Sequence, residues 1–217
     1  MNEHKKKTPA RQAVATKKRQ RADAPSATLA LPAKGTILTI GHSNRPIEEF
    51  LELLSAHGVK HLIDVRTIPR SRHNPQFNSD ALNKSLEAAD IEYTQMKNLG
   101  GLRHASPDSL NTGWKNASFR GYADYMQKKE FSDALERLIE VTAKKPCAIM
   151  CAEAVPWRCH RSLIADALTA RNITVEHIMS RTNRQTHSLT PFARVRGTEV
   201  TYPEPESESS KTGLLFN

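Results

Sequence analysis

Residues 146–171, PCAIMCAEAVPWRCHRSLIADALTAR, decide how this chain is read. Cys147-Ala148-Ile149-Met150 is a short apolar run entered from Pro146, and its length suits a buried strand. Leu163, Ile164 and Leu168 then recur at helical spacing between Arg161 and Arg171. Thr174 to Ile178 is a further strand, read as the last. Strand, polar loop, helix and strand in that order make one βαβ unit.

The same alternation continues towards the N-terminus. Ile37-Leu38-Thr39-Ile40 is a strand closed by Gly41. Pro46 to His57 places Ile47, Phe50, Leu51, Leu53 and Leu54 at helical spacing, with Gly58 as its stop. His61 to Val65 reads as a second strand, Ser79 to Ala89 as a helix with Leu82 and Leu86 inward, and Ile91 to Met96 as a third strand. One long helix is expected from Tyr122 to Val141, carrying Met126, Phe131, Leu135, Leu138 and Ile139. The fold class is therefore α/β: a single three-layer domain, its mainly parallel sheet flanked by helices, with disordered tails. In such an open sheet, ligands gather beyond the carboxyl ends of the strands.

The tails stand apart in composition. Residues 1–34 hold nine bases against two acids and almost no large apolar side chains, so they cannot offset their ordering entropy and read as a basic disordered tail. Most of the net charge of +9 belongs there. Such a tail either solubilises the chain or binds phosphates non-specifically by counterion release. Residues 201–217, with Pro-Glu-Pro-Glu and serines, read as a polar flexible C-terminal tail ending in Leu214-Leu215-Phe216. The domain is left with residues 35–200. No apolar stretch approaches the roughly 18 to 20 residues of a membrane span, so no membrane partner is expected. A charged N-terminus without a signal-peptide core, and an odd count of three cysteines, point to the reducing cytoplasm. Nothing sets an oligomeric state.

Unusual residues cluster just after the strands. Cys151-Ala-Glu153 leads through Pro156-Trp157-Arg158 to Cys159-His160-Arg161, which opens a helix. A thiol at a strand end, near a helix N-terminus and arginines, is in surroundings that favour the reactive thiolate. Glu153 and His160 are candidates for moving protons. The bland account makes Cys151 a small buried residue ending a strand; Cys147, inside the strand, is expected to be core. Zinc is the competing chemistry, with Cys151, Cys159, His160 and either Glu153 or His42 as ligands. The spacing is not a paired Cys-x-x-Cys, however, so neither metal nor other cofactor is expected. Polar groups also follow the other strands: His42 and Ser43, then Asp64, Arg66 and Arg70, then Gly100, Gly101 and Arg103. Asp64 could simply orient Arg66. Trp114 and Trp157 are candidates for a stacking wall.

Thr39-Ile40-Gly41-His42-Ser43, Ile63-Asp64-Val65-Arg66 with Pro69-Arg70-Ser71, Leu99-Gly100-Gly101, Phe119-Arg120-Gly121-Tyr122, and Cys151-Ala-Glu153 through Cys159-His160-Arg161 resemble the bacterial family of domain of unknown function 488, from about Gly35 to Ser180. The resemblance implies a small cytosolic α/β domain with a polar, cysteine-containing pocket and no established activity. More distantly, Leu62 to Arg66 and the Cys151 loop look like parts of rhodanese-type sulfurtransferases. Six residues between Cys151 and Arg158, one of them Pro156, depart from that compact loop.

The expectation is an enzyme with Cys151 as nucleophile or sulfur carrier. Glu153, Cys159, His160 and Arg161 are its catalytic partners. His42, Ser43, Asp64, Arg66, Arg70, Gly100, Gly101, Arg103, Tyr122 and Arg158 line the substrate side. The partner would be an anionic small molecule or nucleic acid. A non-catalytic nucleic-acid-binding protein and a rhodanese-like sulfurtransferase are the alternatives.

Overall fold

A computed structural model of the chain describes residues 31–33 and 35–205. The expected basic tail (1–30 and Lys34) and residues 206–217, with Leu214-Leu215-Phe216, lie outside the described residues. Five strands and two helices frame the expected alternation: β1 (Ile37–Gly41), α1 (Ile47–Ala56), β2 (His61–Asp64), α2 (Ser79–Glu87), β3 (Glu92–Gln95), β4 (Cys147–Cys151) and β5 (Val175–Ser180). Between β3 and β5 lie α3 (Ala117–Tyr125), α4 (Lys129–Thr142) and α5 (Arg161–Thr169). Beyond β5 come β6 (Asn183–Thr186), β7 (Arg194–Arg196) and β8 (Glu199–Thr201).

The six-stranded sheet runs β3-β2-β4-β1-β5-β6, parallel except for the antiparallel β5–β6 edge. Side chains alternate between its faces. Leu38, Ile40, Leu62, Ala148 and Met150 pack with Phe50, Leu54, Leu82 and Leu86 from α1 and α2. Ile37, Ile63, Ile149 and Cys151 pack with Tyr122, Phe131, Leu135, Leu163 and Leu168 from α3, α4 and α5. The expected three layers are present. Among the described residues, no helix is long and apolar enough to cross a membrane.

Three expectations change. The long helix is two: Met126 to Phe131 is a step of five, about one and a half residues beyond the helical repeat. Lys128 turns extended (ψ 149°) and resets the phase, so that Tyr122, Tyr125 and Phe131 meet edge to face or tilted. β5 is not the last strand. β6, β7 and β8 are short and polar, without an apolar alternation to reveal them, and Gly197 (φ 59°) turns the β7–β8 hairpin. Finally, the boundary drawn at residue 200 cuts through that hairpin. Thr201 ends β8, and Tyr202 is fully buried with its hydroxyl donating to Asp166 at 2.8 Å.

The strand order places the chemistry. From β1 the chain crosses to β2 on one side, whereas from β4 it crosses over β1 to β5 on the other. The two directions part between β1 and β4, whose last residues, Gly41 and Cys151, are paired in register. Cys151 therefore lies at the switch point, where an open sheet leaves a crevice.

Candidate active site

Cys151 is the last residue of β4, and its side chain points to the face covered by α5. The chain then loops through residues 152–158, including a 3₁₀ turn at Pro156–Arg158, before Cys159 leads into α5. Two devices hold this loop against the sheet. His42 and Ser43 donate backbone N–H groups to the carbonyls of Cys151 and Ala152, at 3.0 and 2.8 Å. Arg161, 1 % exposed, donates from Nη1 and Nη2 to the carbonyls of Glu153 (2.5 Å) and Ala154 (2.9 Å). Gly41 makes this approach sterically feasible, because a β-carbon there would lie 1.8 Å from the Glu153 carbonyl oxygen.

The loop leaves a cavity of about 360 Å³. Cys151, Ala152, Glu153, Arg158, Cys159 and His160 form one wall; Arg66, Thr67 and Ile68 follow β2; Gly101, Leu102, Ser118, Phe119 and Tyr122 complete it. His160 Nε2 lies 3.2 Å from the carbonyl oxygen of Val65, which assigns the ring proton to Nε2 and leaves Nδ1 as the acceptor. That Nδ1 faces two sulfurs, Cys151 at 3.7 Å and Cys159 at 3.8 Å. Gly101 packs over the ring, where a β-carbon would come within 3.1 Å of Nδ1.

The two thiols are pushed in opposite directions. A hydrogen bond from Cys159 pulls Cys151 below the ordinary thiol range; burial opposes this, while Arg161 and the backbone N–H groups of Ala152 and Glu153 reinforce it. The same sulfur–sulfur contact, together with burial, drives Cys159 strongly upward. Cys147 is raised by burial to about 11 and donates to the Lys145 carbonyl.

Arg66 is held from behind. Its Nε and Nη2 donate to both carboxylate oxygens of the fully buried Asp64, with Nη2–Oδ2 at 2.6 Å, and Nη2 also reaches the Phe77 carbonyl. Tyr93 donates its hydroxyl to Asp64, and His42 Nε2 lies 3.2 Å from Arg66 Nη1. Burial lowers the Arg66 guanidinium, but the hydrogen bonds and charge of Asp64 outweigh it and the net shift is upward. His42, buried and stacked on Phe77, is lowered to about 4, chiefly by burial.

The expected residues thus divide. Cys151, Glu153, Cys159, His160, Arg66, Gly101, Tyr122 and Arg158 meet around the cavity. Asp64, His42, Ser43 and Arg161 stand behind its lining and position Arg66 or the loop. Gly100 packs against Thr67, while Arg103 lies over the Tyr125 ring and donates to the Gly100 and Asn98 carbonyls. Arg70 is exposed and outside the lining. Neither tryptophan lines this cavity; both border a second one, beside His177 and His187. Trp114 stacks on Phe119 beside Phe192 and Tyr202, and Trp157 is 60 % exposed on the far side of the loop. Thr67, Ile68, Leu102 and Ser118 line the cavity without having been singled out in the sequence. Only the Thr67 hydroxyl, donating to the Gly101 carbonyl at 2.7 Å, has a polar role that its residue type hints at.

The family model described as Domain of unknown function DUF488 matches residues 46–168, more than half of the chain. The chain belongs to the DUF488 family. The matched span is narrower than the resemblance drawn from motifs: it holds Arg66, Gly101, Tyr122 and the whole Cys151–Arg161 loop, but begins after Gly41 and His42. No curated protein and no solved structure matches the chain.

As a metal site, this DUF488 cavity offers Cys151, Cys159 and His160, whose ligand atoms lie within 4.8 Å of one another. Neither Glu153 nor His42 joins that group, so the four-ligand set weighed from the sequence is reduced to three.

Proposed function

We propose that this DUF488 chain is an enzyme that uses the Cys151 sulfur as a nucleophile on a small substrate with an anionic group and an apolar body. The observation that carries this reading is the setting of that sulfur. It opens on the cavity 3.7 Å from His160 Nδ1, and Cys159, the buried Arg161 and the Ala152 and Glu153 backbone N–H groups together hold it below the ordinary thiol range. A merely structural cysteine has no need of such donors, since a neutral thiol is content in apolar packing. Arg66 and Arg158 supply cations to the cavity, and Ile68, Leu102, Phe119 and Tyr122 supply the apolar wall.

Native alkylation with iodoacetate and neutral iodoacetamide, read by peptide mass spectrometry, tests both halves. Cys151 should label much faster than Cys147 and should favour the anionic reagent relative to a free thiol. Arg66→Met and Arg158→Met should remove that preference. Labelling of Cys151 no faster than Cys147 would sink the reading.

A second reading rests on spacing. Sulfurs 3.7 and 3.8 Å from one imidazole nitrogen, whose ring is fixed by a backbone carbonyl, match the edges of a tetrahedral zinc site, and the fourth position would face the cavity. Stoichiometric zinc in purified protein, with cobalt exchange giving thiolate charge-transfer bands, would favour it over a free nucleophile.

A further inference from the structure

We propose that Cys151 and Cys159 act as a dithiol pair that exchanges two electrons with a small anionic disulfide. This rests on the nucleophilic reading of Cys151 and names its reaction class.

The pairing is geometric. The two sulfurs lie within 4.8 Å of each other and approach the same nitrogen of His160 at 3.7 and 3.8 Å. Burial in the core accounts for each cysteine being apolar, but not for both facing one base at the edge of a cavity. Cys147 takes no part, since it lies four residues back along β4, about 13 Å away. Closing a disulfide to about 2.05 Å requires the sulfurs to approach. Cys151 ends β4 and the loop beyond it is held by His42, Ser43 and Arg161, so rotation of the two cysteine side chains and adjustment at Cys159, between the loop and α5, supply that movement. Cys159 Sγ also accepts a 3.5 Å bond from the Arg161 backbone N–H.

The chemistry balances in two exchanges. The Cys151 thiolate attacks one sulfur of a substrate R–S–S–R′, forming a Cys151–S–S–R bond as the S–S bond breaks and R′S⁻ leaves. Cys159 then gives its proton to His160 Nδ1, and its thiolate attacks the Cys151 sulfur. Cys151–S–S–Cys159 forms, RS⁻ leaves, and the proton passes from His160 to RS⁻. The substrate disulfide is reduced to two thiols and the protein dithiol is oxidised. An external dithiol reductant restores the pair. Arg66 and Arg158 would hold the anionic group of the half that becomes attached to Cys151.

The test uses the full chain carrying Cys147→Ser, so that only the pair can react, with dithiobis(nitrobenzoate) as a chromogenic anionic disulfide. The pair should release about two thionitrobenzoates per chain, retain no adduct, and become about 2 Da lighter with the two cysteine peptides linked. Adding Cys159→Ser should stop the reaction at about one thionitrobenzoate, leaving a stable adduct on Cys151. Cys159→Ala serves as a second trap if the serine variant fails to fold. A lasting adduct on Cys151 while Cys159 is present, or separate adducts on both cysteines, would overturn the dithiol proposal and leave the nucleophile standing. Absence of reaction at Cys151 would overturn both.

Discussion

Replacing Asp64 by Asn removes the charge opposite Arg66 while nearly preserving shape. In the folded protein, Asp64 is fully buried and Arg66 only 6 % exposed. The carboxylate accepts from the Arg66 backbone N–H (3.0 Å), from its Nε and Nη2, and from Tyr93 (2.8 Å). Breaking a buried ion pair from one side costs about 3–5 kcal/mol, because the remaining charge is left uncompensated. For a domain of this size, each kcal/mol corresponds to about 2–4 °C, so the melting temperature should fall by roughly 6–20 °C. Arg66→Met alone strands the carboxylate and should cost a similar amount. Together the two substitutions remove the whole pair, and their combined cost should fall below the sum of the singles by about 3 kcal/mol. Urea unfolding followed by circular dichroism gives all corners of this cycle. A cost below about 1 kcal/mol for Asp64→Asn, with additive effects, would refute the claim that this pair is desolvated and positions Arg66.

Other substitutions probe the scaffold around the site. Gly41→Ala places a β-carbon 1.8 Å from the Glu153 carbonyl, so the loop must shift; stability should fall by about 1–3 kcal/mol, and Cys151 should lose its alkylation advantage. His42 and His177 are lowered by burial to about 4 and about 3, so from there up to pH ~6.5 the unfolded chain binds more protons than the folded one. Their contribution is complete above that range and is lost as pH falls through it, on the order of a few kcal/mol; His177→Gln should flatten the measured stability–pH slope. Truncation after residue 200 deletes the buried Tyr202 and should cost at least about 3 kcal/mol in urea unfolding relative to truncation after residue 205, which keeps it.

Local sequence settled the layers. Short apolar runs such as Cys147–Met150 and helical repeats such as Phe50, Leu53 and Leu54 carry their own period, so strands, helices and their alternation were legible without contacts. The placement of chemistry after strand ends was legible for the same reason: an apolar run that stops at Cys151 announces the loop beyond it. The break at Lys128 was written in the five-residue step from Met126 to Phe131, but its geometry depends on where Tyr125 and Phe131 meet. Polar three- and four-residue strands such as β7 and β6 have no period to read. They pair as local hairpins, β6 with β5 and β7 with β8, that no apolar alternation announces, whereas the burial of Tyr202 depends on Asp166, 36 residues away.

The site divides along the same line. Residue type alone marked Cys151, Cys159 and His160 as a reactive set and Arg66 as a cation near it. Tertiary structure decided their roles, since pairing in register brings Gly41 beside Cys151 and the crossing of β4 over β1 opens the crevice there. It turned Arg161 inward to clamp the loop, set Asp64 and His42 behind Arg66, and left Arg70 in solvent. A charge in the sequence has no direction until packing aims it, and only the packed chain brings two sulfurs eight residues apart to one imidazole nitrogen.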